Sequence, residues 1–218
     1  IGSSGGPGGD PNGDWMHINA IDYNENLDQI VISSRFQDEI YIIDHSTTTD
    51  EAADHTGGNS GKGGDFLYRW GNPNAYDRGS TSSQRLDSQH GVNWIKEGYP
   101  GEGNLILYNN NYGDLSSAVF EISPPLDLDS INYVISDSEP FGPEEIEWMV
   151  TGGFHSNVQS GAFRLPNGNT LISVADDATI FEVDSSGNTV WDYEYPGVNI
   201  MIARAVSYTH LRAHETSH

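Results

Sequence analysis

Asp28-Gln-Ile-Val-Ile-Ser33, Gly103-Asn-Leu-Ile-Leu107 and Gly168-Asn-Thr-Leu-Ile-Ser173 are three versions of one phrase, a turn signal that opens a short apolar run. Runs of Val, Ile and Leu bounded by Gly, Asn and Asp have the composition of β-strands. Each is followed by a second run of the same kind: Glu39-Ile-Tyr-Ile-Ile-Asp44, Ala118-Val-Phe-Glu-Ile-Ser123 and Thr179-Ile-Phe-Glu-Val-Asp184. A third run carries a tryptophan each time: Phe66-Leu-Tyr-Arg-Trp70, Ile146-Glu-Trp-Met-Val150 and Thr189-Val-Trp-Asp-Tyr193. One further strand precedes each unit, within Met16 to Tyr23, Gly91 to Ile95 and Gly161 to Leu165.

Four strands per unit, recurring in the same order, with no 3.6-residue apolar stripe long enough for a helix, predict an all-β fold. The expected architecture is a β-propeller fragment of about three four-stranded blades. A β-sandwich is the alternative, but it does not require the same strand order three times over. The expected units are residues 14–72, 88–152 and 153–197, with 198–205 starting the next. The Trp of each of these tryptophan-bearing runs is expected to pack between blades. Two insertions interrupt the pattern, Ser46 to Asp65 and Ser123 to Glu145. As surface loops they are expected to rim the ligand channel.

Both ends differ from this body. Residues 1–13 are rich in Gly, Pro and Ser and lack periodicity, which marks a linker or loop, and a chain opening on Ile1 is expected to lack its true N-terminus. Val206 to His218 has the look of a translated adapter, foreign to the fold. An open arc of three blades cannot close a channel, so activity is expected only of a longer parent.

Nine Lys and Arg against 32 Asp and Glu leave a net charge of −23, which argues against nucleic acid or an anionic membrane surface as a partner. Without cysteine there is no disulfide, thiolate metal site or thiol nucleophile. No apolar run approaches the roughly 18 residues of a membrane helix, so membrane insertion is not expected.

Histidine is the informative residue type. His90 lies 13 positions before Gly103, His155 lies 13 before Gly168, and His17 lies 11 before Asp28. These positions fall at or just ahead of the first, innermost strand of each unit, where side chains from successive blades converge on the channel. His45 and His55 belong in or beside the first insertion and are expected to be solvated. Clustered imidazoles bind metal, move protons or attack electrophiles. Three histidines are an acceptable zinc set by ligand type, although no local His-x-His or His-x-x-x-His spacing supports it. Asp176-Asp177 and Asp184-Ser-Ser-Gly-Asn188 admit a calcium reading, but the latter is also an ordinary hairpin turn.

The string Asp14-Trp-Met-His-Ile-Asn-Ala20, then Ile-Val-Ile-Ser-Ser-Arg35, then Gln89-His90 and Arg164-Leu-Pro-Asn-Gly-Asn-Thr-Leu-Ile172, resembles the bacterial arylsulfotransferase family in the same order. The resemblance implies a six-bladed parent, periplasmic or secreted, that moves a sulfuryl group from a phenolic sulfate to a phenol acceptor without a cofactor. It implies His155 as nucleophile, with His17 and His90 flanking it. Arg35, Asn19, Asn93, Arg164 and Arg204 are the substrate-binding candidates, and no metal is implied. The chain departs from the family at one point. An arginine is expected shortly after the second histidine, but that stretch reads Leu107-Tyr-Asn-Asn-Asn-Tyr-Gly113, and none occurs between Arg85 and Arg164. A non-catalytic extracellular propeller that binds a glycan or protein is the alternative.

Overall fold

In the computed structural model, which describes residues 13–197, 201–202 and 204–205, the apolar runs form three four-stranded antiparallel sheets. The first joins β1 (Ile18–Asn24), β2 (Gln29–Ser34), β3 (Glu39–Asp44) and β4 (Phe66–Trp70) in sequence order. The second joins β5 (His90–Trp94), β6 (Leu105–Gly113) and β7 (Ser116–Ile122). A small ribbon of β8 (Leu126–Asp127) and β9 (Asn132–Tyr133) then intervenes before the outer strand β10 (Trp148–Thr151). The third joins β11 (Gly161–Arg164), β12 (Thr170–Val174), β13 (Thr179–Val183) and β14 (Thr189–Glu194). First strands stand side by side, β1 against β5 and β5 against β11. The architecture is three consecutive propeller blades fanned about their first strands.

Two cores hold the blades, and the strand period of two explains how one sheet serves both. Along β6, Leu105 and Leu107 enter the core shared with the first blade, beside Val31, Ile42, Leu67 and Trp70. The alternate residues Ile106 and Tyr108 enter the core shared with the third, beside Ile172, Val174, Phe181 and Val183. Strand β7 divides likewise, Ala118, Phe120 and Ile122 to one side and Val119 to the other. A strand buried on both faces reads as a continuous apolar run, as these do.

Polar clamps complete the joins. The fully buried Gln89 directs Nε2 at Ser33 Oγ (3.1 Å), Ser34 O (3.0 Å) and Glu39 O (2.9 Å), while its own carbonyl accepts from Asn19 Nδ2 at 2.7 Å. Between the second and third blades, Asn93 Nδ2 donates to Ala162 O at 2.9 Å. Gly91, at φ +69°, admits a close approach of inner strands: a Cβ there would meet Gly161 Cα at 3.0 Å.

Three expectations change. The first insertion contains one turn of helix, α1 (Thr49–Ala52), which the polar sequence hid. Thr48 and Glu51 form its capping box. Trp70 packs between blades as expected, but Trp191 is 49% exposed, because the face of the third sheet away from the second carries no further sheet among the described residues. The insertions do not rim the histidines. Both follow a third strand, β3 or β7, and an antiparallel meander returns third-strand ends to the edge opposite the entry of its first strand. There Ser60 Oγ donates to Ile131 O at 3.0 Å and Asn132 Nδ2 to Ser60 O at 3.0 Å, and the rest of the second insertion returns along the outer strand of the first blade, where Tyr68 Oη donates to Gly142 O at 2.8 Å and Trp70 Nε1 to Pro143 O at 3.0 Å. The expected linker at 1–13, except Gly13, and the tail at 206–218 lie outside the described residues.

Gln89→Ala strands two buried carbonyls at a blade junction and is expected to destabilise the fold by about 2–4 kcal/mol. A lowered urea midpoint would register it, and an unchanged one would show that the clamp contributes nothing.

Candidate functional site

His17, Arg35, Asn110, Ser117 and His155 share one edge of the arc with His90. His17 immediately precedes β1 and His90 begins β5. His155 does not occupy the equivalent position: it stands in the connection from β10 to β11, six residues ahead of Gly161. Equal counting from the second-strand turn failed because β5 and β6 are joined by residues 95–104, whereas β11 and β12 are joined by 165–169. The loop nevertheless folds back to the same edge, where Ser117 N donates to Phe154 O at 3.1 Å.

Each imidazole is held through Nδ1. His17 Nδ1 is 2.6 Å from Asp14 Oδ2, and its ring lies 4.7 Å from that of Phe36. His90 Nδ1 is 2.9 Å from Ser88 O and 2.8 Å from Asn110 Oδ1. His155 Nδ1 is 3.4 Å from Ser117 Oγ. Left-handed backbone recurs at these entries, at His17 (φ 49°), Ser88 (φ 58°), Gln159 (φ 48°) and Ser160 (φ 78°). Non-glycine residues in that region carry strain of about 1–3 kcal/mol and cluster at working sites.

Burial is the main force pushing the His90 imidazole below its ordinary value, with the charge of Arg35 acting in the same direction. Hydrogen bonds donated to Asn110 Oδ1 and Ser88 O oppose this in part. His90 is therefore neutral at pH 7. Tyr108, its cross-strand partner on β6, is pushed up to about 12 by burial and stays a phenol.

Arg35 directly follows β2 and reaches across the arc, donating from Nη2 to Asn157 O at 3.4 Å. It forms no ion pair with a carboxylate among the described residues, and its buried Nε has no partner. It thus keeps donors to spare beside a neutral imidazole.

The other expected contacts are committed elsewhere. Arg164 is buried in an ion pair with Glu121, donates to Gly168 O at 2.9 Å and lies under the Trp148 ring, so it locks the second blade to the third and is withdrawn from substrate. Asn19 and Asn93 spend their amides on the blade clamps. Arg204 stands over Phe163 at 4.7 Å, and its charge acts on Asp22, between the first and third inner strands. His45 and His55 are exposed and pair with Asp28 and Asp65. Asp184 Oδ1 accepts from the amides of Ser186 and Asn188, an ordinary hairpin turn. Among the described residues no three His, Asp or Glu side chains converge as a metal ligand set. A cleft of about 630 Å³ between residues 70–85 and 139–144 contains none of the three histidines.

Sequence reasoning missed Asp14, Ser88, Asn110 and Ser117. Asn110 sits in the very stretch noted for its lack of arginine.

A family model described as Arylsulfotransferase (ASST) matches residues 3–123, which include His17, Arg35, His90, Asn110 and Ser117 but not His155. No curated protein matches the chain. Among solved structures it is similar to a protein of unknown function from Bacteroides caccae (10% identity, TM-score 0.43, covering 84% of this chain and 47% of that one). It is also similar to virginiamycin B lyase from Staphylococcus aureus (12%, 0.37, 86% and 58%) and to an engineered GH43 glycoside hydrolase (10%, 0.40, 84% and 33%). The chain thus spans between a third and three fifths of those proteins' lengths.

The sign of the His90 shift sets a pH dependence. Its folded value lies below 6.5, so the unfolded chain binds the proton more readily; this contribution to stability is intact above pH 6.5 and falls as the pH drops through that value. Thermal melts between pH 8 and pH 5 are expected to show a shallower acid loss in His90→Asn than in the unaltered protein. Parallel curves would mean that His90 titrates normally.

Proposed function

The chain belongs to the arylsulfotransferase family, and on that premise we propose that the protein transfers a sulfuryl group from a phenolic sulfate ester to a phenol through a sulfated histidine. The observation that carries this reading is the grouping of three imidazoles and one guanidinium that is in no ion pair on a single edge of the inner strands.

His155 is the nucleophile in this scheme, by its order along the chain. Its nitrogen attacks sulfur, an N–S bond forms as the S–O bond to the phenol breaks, and the leaving phenolate takes a proton from a neighbouring imidazole. The acceptor phenol then gives its proton back, its oxygen attacks the same sulfur, and the N–S bond breaks to restore the imidazole. His17, backed by the Asp14 carboxylate, suits the proton-carrying part, since a carboxylate on Nδ1 stabilises the imidazolium as it forms. Neutral His90 suits the accepting part, and passage of that proton from His90 to His17 returns both rings to their starting state.

Arg35 holds the sulfuryl oxygens. In a chain of net charge −23 a sulfate ester meets repulsion at long range, and a local cation with free donors must overcome it. Arg35 thereby supplies what the stretch after His90 lacks. The donor is a small phenolic sulfate and the acceptor a phenol, no cofactor takes part, and the setting is periplasmic or secreted. No helix among the described residues is long and apolar enough to cross a membrane.

A second reading, a non-catalytic propeller that binds glycan, draws on the exposed ladder at β14. There Trp191 stacks on Tyr193 at 6.4 Å with rings 9° from parallel.

Full-length protein given 4-nitrophenyl sulfate and a phenol acceptor is expected to release 4-nitrophenolate and form the sulfated acceptor. His155→Ala should lower kcat about a thousandfold, and Arg35→Met should lower kcat/KM at least about tenfold. Absence of transfer, or full turnover in His155→Ala, would remove the enzymatic reading.

A further inference from the structure

Asn110 and Ser117 lie between the second and third histidines, and their hydrogen bonds leave little freedom in where protons sit. Asn110, fully buried in β6, directs its Nδ2 at two backbone carbonyls, Ser156 O at 2.8 Å and Gln159 O at 3.3 Å. Carbonyl oxygens only accept, so the amide orientation is determined: Nδ2 faces the loop and Oδ1 faces His90. At 2.8 Å from Oδ1 and 2.9 Å from Ser88 O, His90 Nδ1 faces acceptors only and must carry the hydrogen.

The same logic runs through Ser117. Its hydroxyl is 2.6 Å from Asn110 O, an acceptor, and so donates there. Its remaining lone pairs accept from Ser156 N at 3.1 Å and face His155 Nδ1 at 3.4 Å. An oxygen whose own proton is engaged can only accept from that ring, which places the His155 hydrogen on Nδ1 as well.

We propose that Asn110 and Ser117 are positioning residues, a buried polar bridge that sets His90 and His155 in the same Nδ1–H tautomer and so presents two Nε2 lone pairs to the channel edge. The bridge also ties β6 to the loop carrying His155, so it sets the spacing of the two rings along with their chemistry. Neither residue touches substrate. What the bridge is for rests on the sulfuryl-transfer reading, in which one Nε2 attacks and the other handles a proton; the tautomers themselves do not.

Long-range proton–nitrogen correlation spectra of full-length protein with ¹⁵N-labelled histidine test the bridge directly, with His90→Asn and His155→Asn assigning the signals. At pH 7.5 both rings are expected to show a pyrrole-like Nδ1 and a pyridine-like Nε2. Ser117→Ala is expected to reduce the His155 preference by roughly fivefold to tenfold while leaving His90 unchanged, as befits one lost hydrogen bond. Asn110→Leu should release His90 in the same way. If that buried substitution unfolds the protein, the unaltered spectrum still decides. A pyrrole-like Nε2 on either ring, or a His155 tautomer indifferent to Ser117→Ala, overturns the bridge. The two ideas fail separately: single tautomers without sulfuryl transfer would sink the activity and spare the bridge, and transfer with mixed tautomers would do the reverse.

Discussion

The structure depends on one sheet being buried from both sides. Strands β6 and β7 send alternate residues into two cores, Leu105, Leu107 and Phe120 toward the first blade and Ile106, Tyr108 and Val119 toward the third. Neither neighbour could bury its own apolar face without this middle sheet. A pleated strand divides its side chains by strict alternation, so a one-residue slip in β6 would exchange the two cores' contents. The register of the second blade therefore positions everything on its edge, including His90, Asn110 and Ser117.

That rigidity makes the site chemistry intelligible. An imidazole in a mobile loop samples both tautomers and either charge state, whereas His90 is held by a fixed amide and a backbone carbonyl in a buried place that disfavours its cation. Positive charge is scarce in this chain, and the structure disposes of it sparingly. Arg69 and Arg164 are tied to buried glutamates within and between blades, which leaves Arg35 with donors unspent beside the histidines. Two arginines thus act as mortar while Arg35, at the histidine edge, stays outside any ion pair, a division that residue type alone does not disclose.

Much of this was legible in the linear sequence, and the failures have specific causes. The strands announced themselves through repetition, since a four-stranded module must restate its apolar runs to pack against copies of itself. Trp191 could not be told from Trp70 by pattern, because its exposure depends on which neighbour covers its face. His155 was found by a count that assumed equal connections; unequal ones moved it into a loop, which then returned it to the same edge by another route. Arg164 looked like a substrate contact because its partner Glu121 lies 43 residues away on another sheet.

The sequence by itself determined the local and periodic features: an all-β chain, three units of four strands, the histidines worth attention and a missing arginine. These follow from strand propensity, turn chemistry and repetition, all of which act over a few neighbouring residues. Only the tertiary structure decided which arginine keeps its donors, which edge the insertions occupy and where the imidazole protons reside. Those outcomes are hydrogen-bond and ion-pair choices among groups tens of residues apart, and a partner's identity exists only once the blades have stacked.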